Sequence, residues 1–170
     1  VGNAGQPNVL LLNDGHGIFT DASAISNTDH DGWAYGVSFG DVDNDGDLDI
    51  YVGNNGPNVL LLNDGHGIFT DASAASNVDH DGDAFGVAFG DVDNDGDLDI
   101  YVGNNGRQPN VLLLNASHGI FTDASAPSTV DHGARAVGVA FWEAANHGTP
   151  ELFWGHDVPV PSTPLTPPTT

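Results

Sequence analysis

Two copies of one nonapeptide, DVDNDGDLD at 41–49 and 91–99, crowd carboxylates around a glycine turn. Asp41, Asp43 and Asp45 alternate, Gly46 permits a sharp bend, and Asp49 follows. With Asp41 as loop position 1, carboxylates fall at positions 1, 3, 5 and 9, and the Asp47 backbone carbonyl is available at position 7. The second copy repeats this with Asp91, Asp93, Asp95 and Asp99, the turn at Gly96 and the Asp97 carbonyl. An all-oxygen donor set on a flexible turn suits a hard cation, and calcium fits better than magnesium, which demands a tight octahedron. Position 12 is Val52 or Val102 rather than a bidentate glutamate, so water or bidentate binding by Asp49 and Asp99 is expected to complete each shell. The competing reading is a bare aspartate hairpin. Its carboxylates would repel one another, a penalty that a divalent ion removes.

A third copy is degenerate. Glu143, Ala145, His147 and Glu151 stand where Asp91, Asp93, Asp95 and Asp99 stand in the second. One ligand is missing and a nitrogen replaces an oxygen, which predicts the turn without the calcium. Asp79, Asp81 and Asp83 also alternate, but Trp33 replaces the last of them in the preceding copy, so a polar turn is expected there. His16, His66 and His118 are single imidazoles in turns and form no ligand cluster.

The elements that must hold these loops come from a longer repeat. PNVLLLNDGHGIFTDAS occupies 7–23 and 57–73, and PNVLLLNASHGIFTDAS occupies 109–125, giving periods of 50 and then 52 residues. Within one period, YGVSF at 35–39, LDIYVG at 48–53, NVLLLN at 58–63 and GIFTDAS at 67–73 read as four short strands. Apolar residues alternate along them, and Gly and Asx clusters break each run before a helix could form. Four-stranded units repeated at this length predict an all-β chain of β-propeller blades.

Residues 33–76 and 83–126 each supply one blade, the first 24 residues supply two outer strands, and 136–141 with 151–155 supply two inner strands. The total is three blade equivalents, below the about 4 to 8 blades of a closed propeller. A partial ring is expected, or one completed when two chains exchange halves. The domain expectation is repeats over 1–157 and a Pro/Thr-rich linker or tail over 158–170.

Composition narrows the partners. Twenty-four acidic residues against two arginines and no lysine give a formal charge of -22, which opposes nucleic acid and anionic membranes. Two calcium ions would bring it to -18. No cysteine is present, so disulfides, zinc thiolates and a cysteine nucleophile are excluded. No apolar run approaches about 18 residues, and no membrane insertion is expected. The chain opens inside a repeat, at VGN, without a signal-peptide pattern.

The text YGVSFGDVDNDGDLDIYVGN followed by GPNVLLLNDGHGIFTDAS, with FGVAFGDVDNDGDLDIYVGN opening the next copy, resembles the FG-GAP or VCBS repeat family. The calcium-binding blades of that family are related to the integrin alpha-chain propeller. The resemblance implies that Asp41, Asp43, Asp45, Asp49, Asp91, Asp93, Asp95 and Asp99 are calcium ligands, with Asp47 and Asp97 contributing carbonyls. It also implies an extracellular or cell-surface setting and a protein or glycan partner. The expected function is a calcium-binding structural or adhesion module without enzymatic activity. A calcium-dependent lectin using Trp33, Tyr35, Trp142 or Trp154 is the alternative, and a metal-assisted hydrolase the weaker one, because no nucleophile and base fall together. Asn115 to Ser117 forms an N-glycosylation acceptor, or simply an altered NDG turn.

Overall fold

A computed structural model describes residues 2–106, 108–128, 136–142 and 149–156. It is almost wholly antiparallel β-structure. The strands are β1 (Ala4–Pro7), β2 (Leu11–Asn13), β3 (Phe19–Asp21), β4 (Asp31–Gly40), β5 (Asp49–Pro57), β6 (Val59–Asn63), β7 (Phe69–Asp71), β8 (Asp81–Gly90), β9 (Asp99–Asn104), β10 (Val111–Ser117) and β11 (Ile120–Asp123). A single helical turn α1 (Ser125–Ser128) precedes β12 (Ala136–Trp142) and β13 (Glu151–His156).

Two groups are complete four-stranded meanders, β4 to β7 and β8 to β11. Their registers repeat: Val37 faces Val52 and Phe39 faces Ile50, as Val87 faces Val102 and Phe89 faces Ile100. The inner strands β4, β5 and β8 run longer than the apolar alternation predicts because their ends pair outside the group. Residues 55–57 of β5 meet residues 81–83 of β8, and β1 meets the start of β4 in the same way. The outer strand β7 is shorter than predicted. After Asp71 the chain turns, with the Ser73 N–H and hydroxyl both donating to Asp71 Oδ1.

Groups stack through glycine. Ala34 and Val37 pack on Gly2, Ala84 and Val87 on Gly53, and Ala136 and Val139 on Gly103, one contact repeated at three junctions. Only a residue without Cβ lets neighbouring backbones approach this closely. Phe89 covers Gly40 and Phe141 covers Gly90, and each ring lies edge-on to Tyr51 or Tyr101 with centroids 6.4 Å apart. The turns cross over as well: Phe69 N–H donates to Ser26 O and Phe121 N–H to Ser76 O. The core therefore lies between groups, around Tyr51, Leu60, Val78, Ile100, Val102 and Leu113.

The described strands close no ring. They comprise the two full groups, an N-terminal part (β1 to β3) and a C-terminal pair (β12 and β13). Glu143, Ala145, His147 and the tail 158–170 lie outside the described residues.

Gly53→Ala would place a Cβ 2.9 Å from Val87 Cγ1 and 3.0 Å from the Ala84 Cβ, backed by strands on both sides. Urea unfolding is expected to show a loss of about 1–3 kcal/mol, the usual cost of overpacking. Gly138→Ala, which meets nothing within 4 Å, is expected to stay within about 0.5 kcal/mol.

Candidate metal centres

Each acidic loop joins the two inner strands of a group, β4 to β5 and β8 to β9. Asn44 and Asn94 take positive φ of 60° and 66°, and Gly46 and Gly96 take 97° and 94°. These angles suit Asn and Gly and curl the loop inward. The first carboxylate then receives the loop's own amides: Asp45 N–H donates to Asp41 Oδ1 at 3.1 Å and Gly46 N–H to Asp41 Oδ2 at 3.0 Å. Asp91 receives the amides of Asp95 and Gly96 at the same two distances.

The curl brings three carboxylates together. Asp41, Asp43 and Asp49 each offer an oxygen within 4.8 Å of the others, and Asp91, Asp93 and Asp99 do the same. Asp45 and Asp95 stand outside these sets and accept the amides of Asp47 and Asp97 instead. The Asp47 side chain lies against Gly65, and the Asp97 carboxylate accepts from the Asn44 amide of the other loop.

Asp49 and Asp99 differ from the rest because they are wholly buried. Asp49 accepts Val42 N–H on Oδ2 and Asn63 N–H on Oδ1, both at 2.9 Å. Asp99 accepts Val92 N–H at 2.7 Å and Asn115 N–H at 2.9 Å. Asn63 and Asn115, on outer strands β6 and β10, thus orient the last acid of each loop and were not singled out by reading the loops alone. The signal was present: the asparagine of the NDG turn persists at 115 although the residues after it become Ala-Ser.

Burial pushes the carboxyl of Asp49 up to about 6, against the pull of the Asn63 and Val42 amides and helped by the negative charge of Asp43 and Asp45. Asp99 rises to about 6 for the same reasons, burial first, then Asp93 and Asp95. Burial, Asp45 and Asp41 also raise Asp43. A clustered, partly desolvated set of hard oxygens held by β-strands can chelate a divalent cation, and its own repulsion is what a cation relieves. The donor set fits calcium. It contains no nitrogen or sulfur that would favour a softer metal.

Other singled-out residues do different work. Asp83 binds the Asn105 amide, and Asp81 and Asp83 lie in the β5–β8 pairing, so residues 81–83 open a strand that joins two groups rather than forming the polar turn expected there. His16 and His66 sit exposed in their turns, each ring nitrogen near the carbonyl of Asp14 or Asp64. Tyr35 stacks on Phe85 with centroids 4.6 Å apart, and Trp33 lies against Gly5, so both rings meet neighbours. Nothing is described of the Trp142 and Trp154 side chains. Asn115 is buried, and its Nδ2 donates to Val42 O and Leu98 O, which leaves no room for a glycan and supports the altered-turn reading. No helix among the described residues is long and apolar enough to cross a membrane.

A repeat-family model described as FG-GAP-like repeat matches residues 1–52 and again 41–102. The two matches share the first acidic loop. No curated protein matches the chain.

Raised carboxyls make the metal-free fold sensitive to pH in an unusual direction. The folded state holds protons on Asp49 and Asp99 that the unfolded chain releases near 3.8, so the stability present below that value is lost as pH rises through about 6. Chelator-treated protein is expected to melt about 5 °C or more lower at pH 7 than at pH 5. Carbon NMR titration of the Asp49 and Asp99 carboxyls should give midpoints near 6; midpoints near 4 would refute the account.

Proposed function

The chain belongs to the FG-GAP-like repeat family, a non-catalytic structural module, and on that premise we propose that it is a calcium-stabilised adhesion or recognition module built from β-propeller blades. The observation that carries this reading is the convergence of Asp41, Asp43 and Asp49, and of Asp91, Asp93 and Asp99, at the junction of inner strands. These residues would hold the ion, the carbonyls of Asp47 and Asp97 would add to them, and Asp45 and Asp95, which stand outside the converging sets here, would have to turn inward to complete the donors. Bound calcium supplies positive charge that neutralises the loop. The chain's own amides, from Val42, Asn63, Val92 and Asn115, keep the buried carboxylates aimed into it. Ion binding to the folded loops then adds directly to folding stability.

An extracellular or cell-surface setting suits such sites, since turns of this type in extracellular modules work at about 0.1–1 mM calcium. The strong negative charge favours protein or glycan partners over nucleic acid and anionic membrane.

Among the described residues the two end groups show only part of a four-stranded set, and their exposed rings suggest how a ring would be completed. Phe19 is 58% exposed while its repeat equivalents Phe69 and Phe121 are 6% and 2% exposed. Phe153 is 72% exposed where Tyr51 and Tyr101 are fully buried. In the complete groups Ile50 faces Leu61 and Tyr51 faces Leu60, so β13 of one copy would set Leu152 against Leu11 and Phe153 against Leu10 of another. Gly155 repeats the position of Gly2, which limits the exchanged pairing to 151–153.

Saturating CaCl2 at pH 7 is expected to raise the melting temperature of chelator-treated protein by about 5–10 °C, since a site at 100-fold excess over Kd adds about 2.7 kcal/mol. Magnesium should do less, and an Asp41→Ala/Asp91→Ala variant should not respond. An unchanged melt in the wild type refutes the cation reading. Light scattering is expected to give twice the 17.5 kDa of one chain, returning to one for Phe153→Asp. A monomer in both would show that the open strands are not filled by a second copy.

A further inference from the structure

The two acidic loops belong to different groups, yet an unbroken line of buried hydrogen bonds joins them. It begins at Asp49 Oδ2, which accepts Val42 N–H at 2.9 Å. The other side of that residue, Val42 O, accepts Asn115 Nδ2 at 2.8 Å. Asn115 N–H in turn donates to Asp99 Oδ1 at 2.9 Å, and Asp99 Oδ2 accepts Val92 N–H at 2.7 Å. Asp49, Val42, Asn115 and Asp99 are all buried. Asn115 Nδ2 also donates to Leu98 O inside the second loop, and Asn115 Oδ1 accepts Gly119 N–H.

Asn63 provides an internal comparison. It repeats the bonds of Asn115 within one group, to Asp49 Oδ1 and to Leu48 O. The bond to a neighbouring loop is the one Asn115 adds. At the exposed rim a second link runs parallel to it, from the Asn44 amide to the Asp97 carboxylate.

We propose that Asn115 couples the two cation sites, so that an ion in the 41–49 loop raises the affinity of the 91–99 loop, and the reverse. This rests on the calcium reading above. An ion held by Asp41, Asp43 and Asp49 restrains the Val42 peptide between two of its ligands. The carbonyl of that peptide anchors the Asn115 side chain, and the Asn115 backbone amide then stands ready for Asp99. Ordering of one loop reduces the ordering left for the other, and by linkage the gain is mutual. Asn115 acts as a positioning residue, since its contacts are with a carboxylate and two carbonyls of the loops.

Calorimetric titration with CaCl2 alone tests this on the full chain. The wild type is expected to bind two ions with a coupling factor of about fivefold or more, the low end of site-to-site coupling. Asp91→Ala should leave the first loop binding one ion about fivefold or more weakly than it does when the second is filled. Asn115→Ala should keep two ions and lose the coupling, whereas Asn63→Ala should weaken the first site and keep it. A wild-type isotherm equal to the sum of the Asp41→Ala and Asp91→Ala isotherms overturns the coupling while leaving both sites standing. So does full coupling in Asn115→Ala. If that variant does not fold, the comparison of wild type with the two single-site variants still decides. Absence of any binding by the wild type overturns the cation reading itself, and the coupling with it.

Discussion

The structure depends on a carboxylate that should not be comfortable where it is. Asp49 and Asp99 begin inner strands and are wholly buried, each held by two backbone amides. Those amides come from opposite sides, one from the start of the loop and one from the outer strand. A single side chain therefore ties a loop to two strands. Two hydrogen bonds do not recover the hydration of a full negative charge, so burial raises both carboxyls despite them. A divalent ion beside the same carboxylate changes that balance and leaves the bonds in place. The loop is built to be good in the presence of positive charge and only tolerable without it.

Around this clip the repeat supplies rigidity by close approach. Glycines at 2, 53 and 103 accept the Ala and Val of the following group, and Gly40 and Gly90 lie under aromatic rings. Each group thus buries its face on a neighbour rather than on itself, the arrangement of a quasi-one-dimensional repeat. Stability is then a property of junctions. Asn115 fits the same plan, since it belongs to one group and completes the hydrogen bonding of the loop in another.

Much of the site was legible because its chemistry is local. The spacing of Asp41, Asp43 and Asp49 around a glycine is enough to predict that they converge, and they do. Asp45 was expected beside them, but in the curled loop it accepts the Asp47 amide and stands apart. The roles of Asn63 and Asn115 were not legible from the loop, because they lie 14 and 16 residues beyond the acids they orient. Strand lengths missed for a similar reason. The ends of β4 and β5 pair with other groups, and alternation within one period carries no information about that.

The clearest separation of local from non-local control comes from two identical stretches. Residues 7–23 and 57–73 have the same sequence and form the same hairpin, Leu12 opposite Thr20 as Leu62 is opposite Thr70. Their glycine torsions agree closely, 82° and 86° in one turn and 76° and 79° in the other. Yet Leu11 and Phe19 are exposed, and Leu61 and Phe69 are buried. Turn chemistry and register are therefore written in the segment, whereas burial is written in what lies beside it. The acidic loops obey the same division. Their curl is encoded by Asn, Gly and Asp within nine residues, but the buried position of the final carboxylate, and so its appetite for a cation, depends on an outer strand and on the neighbouring group packed beside it.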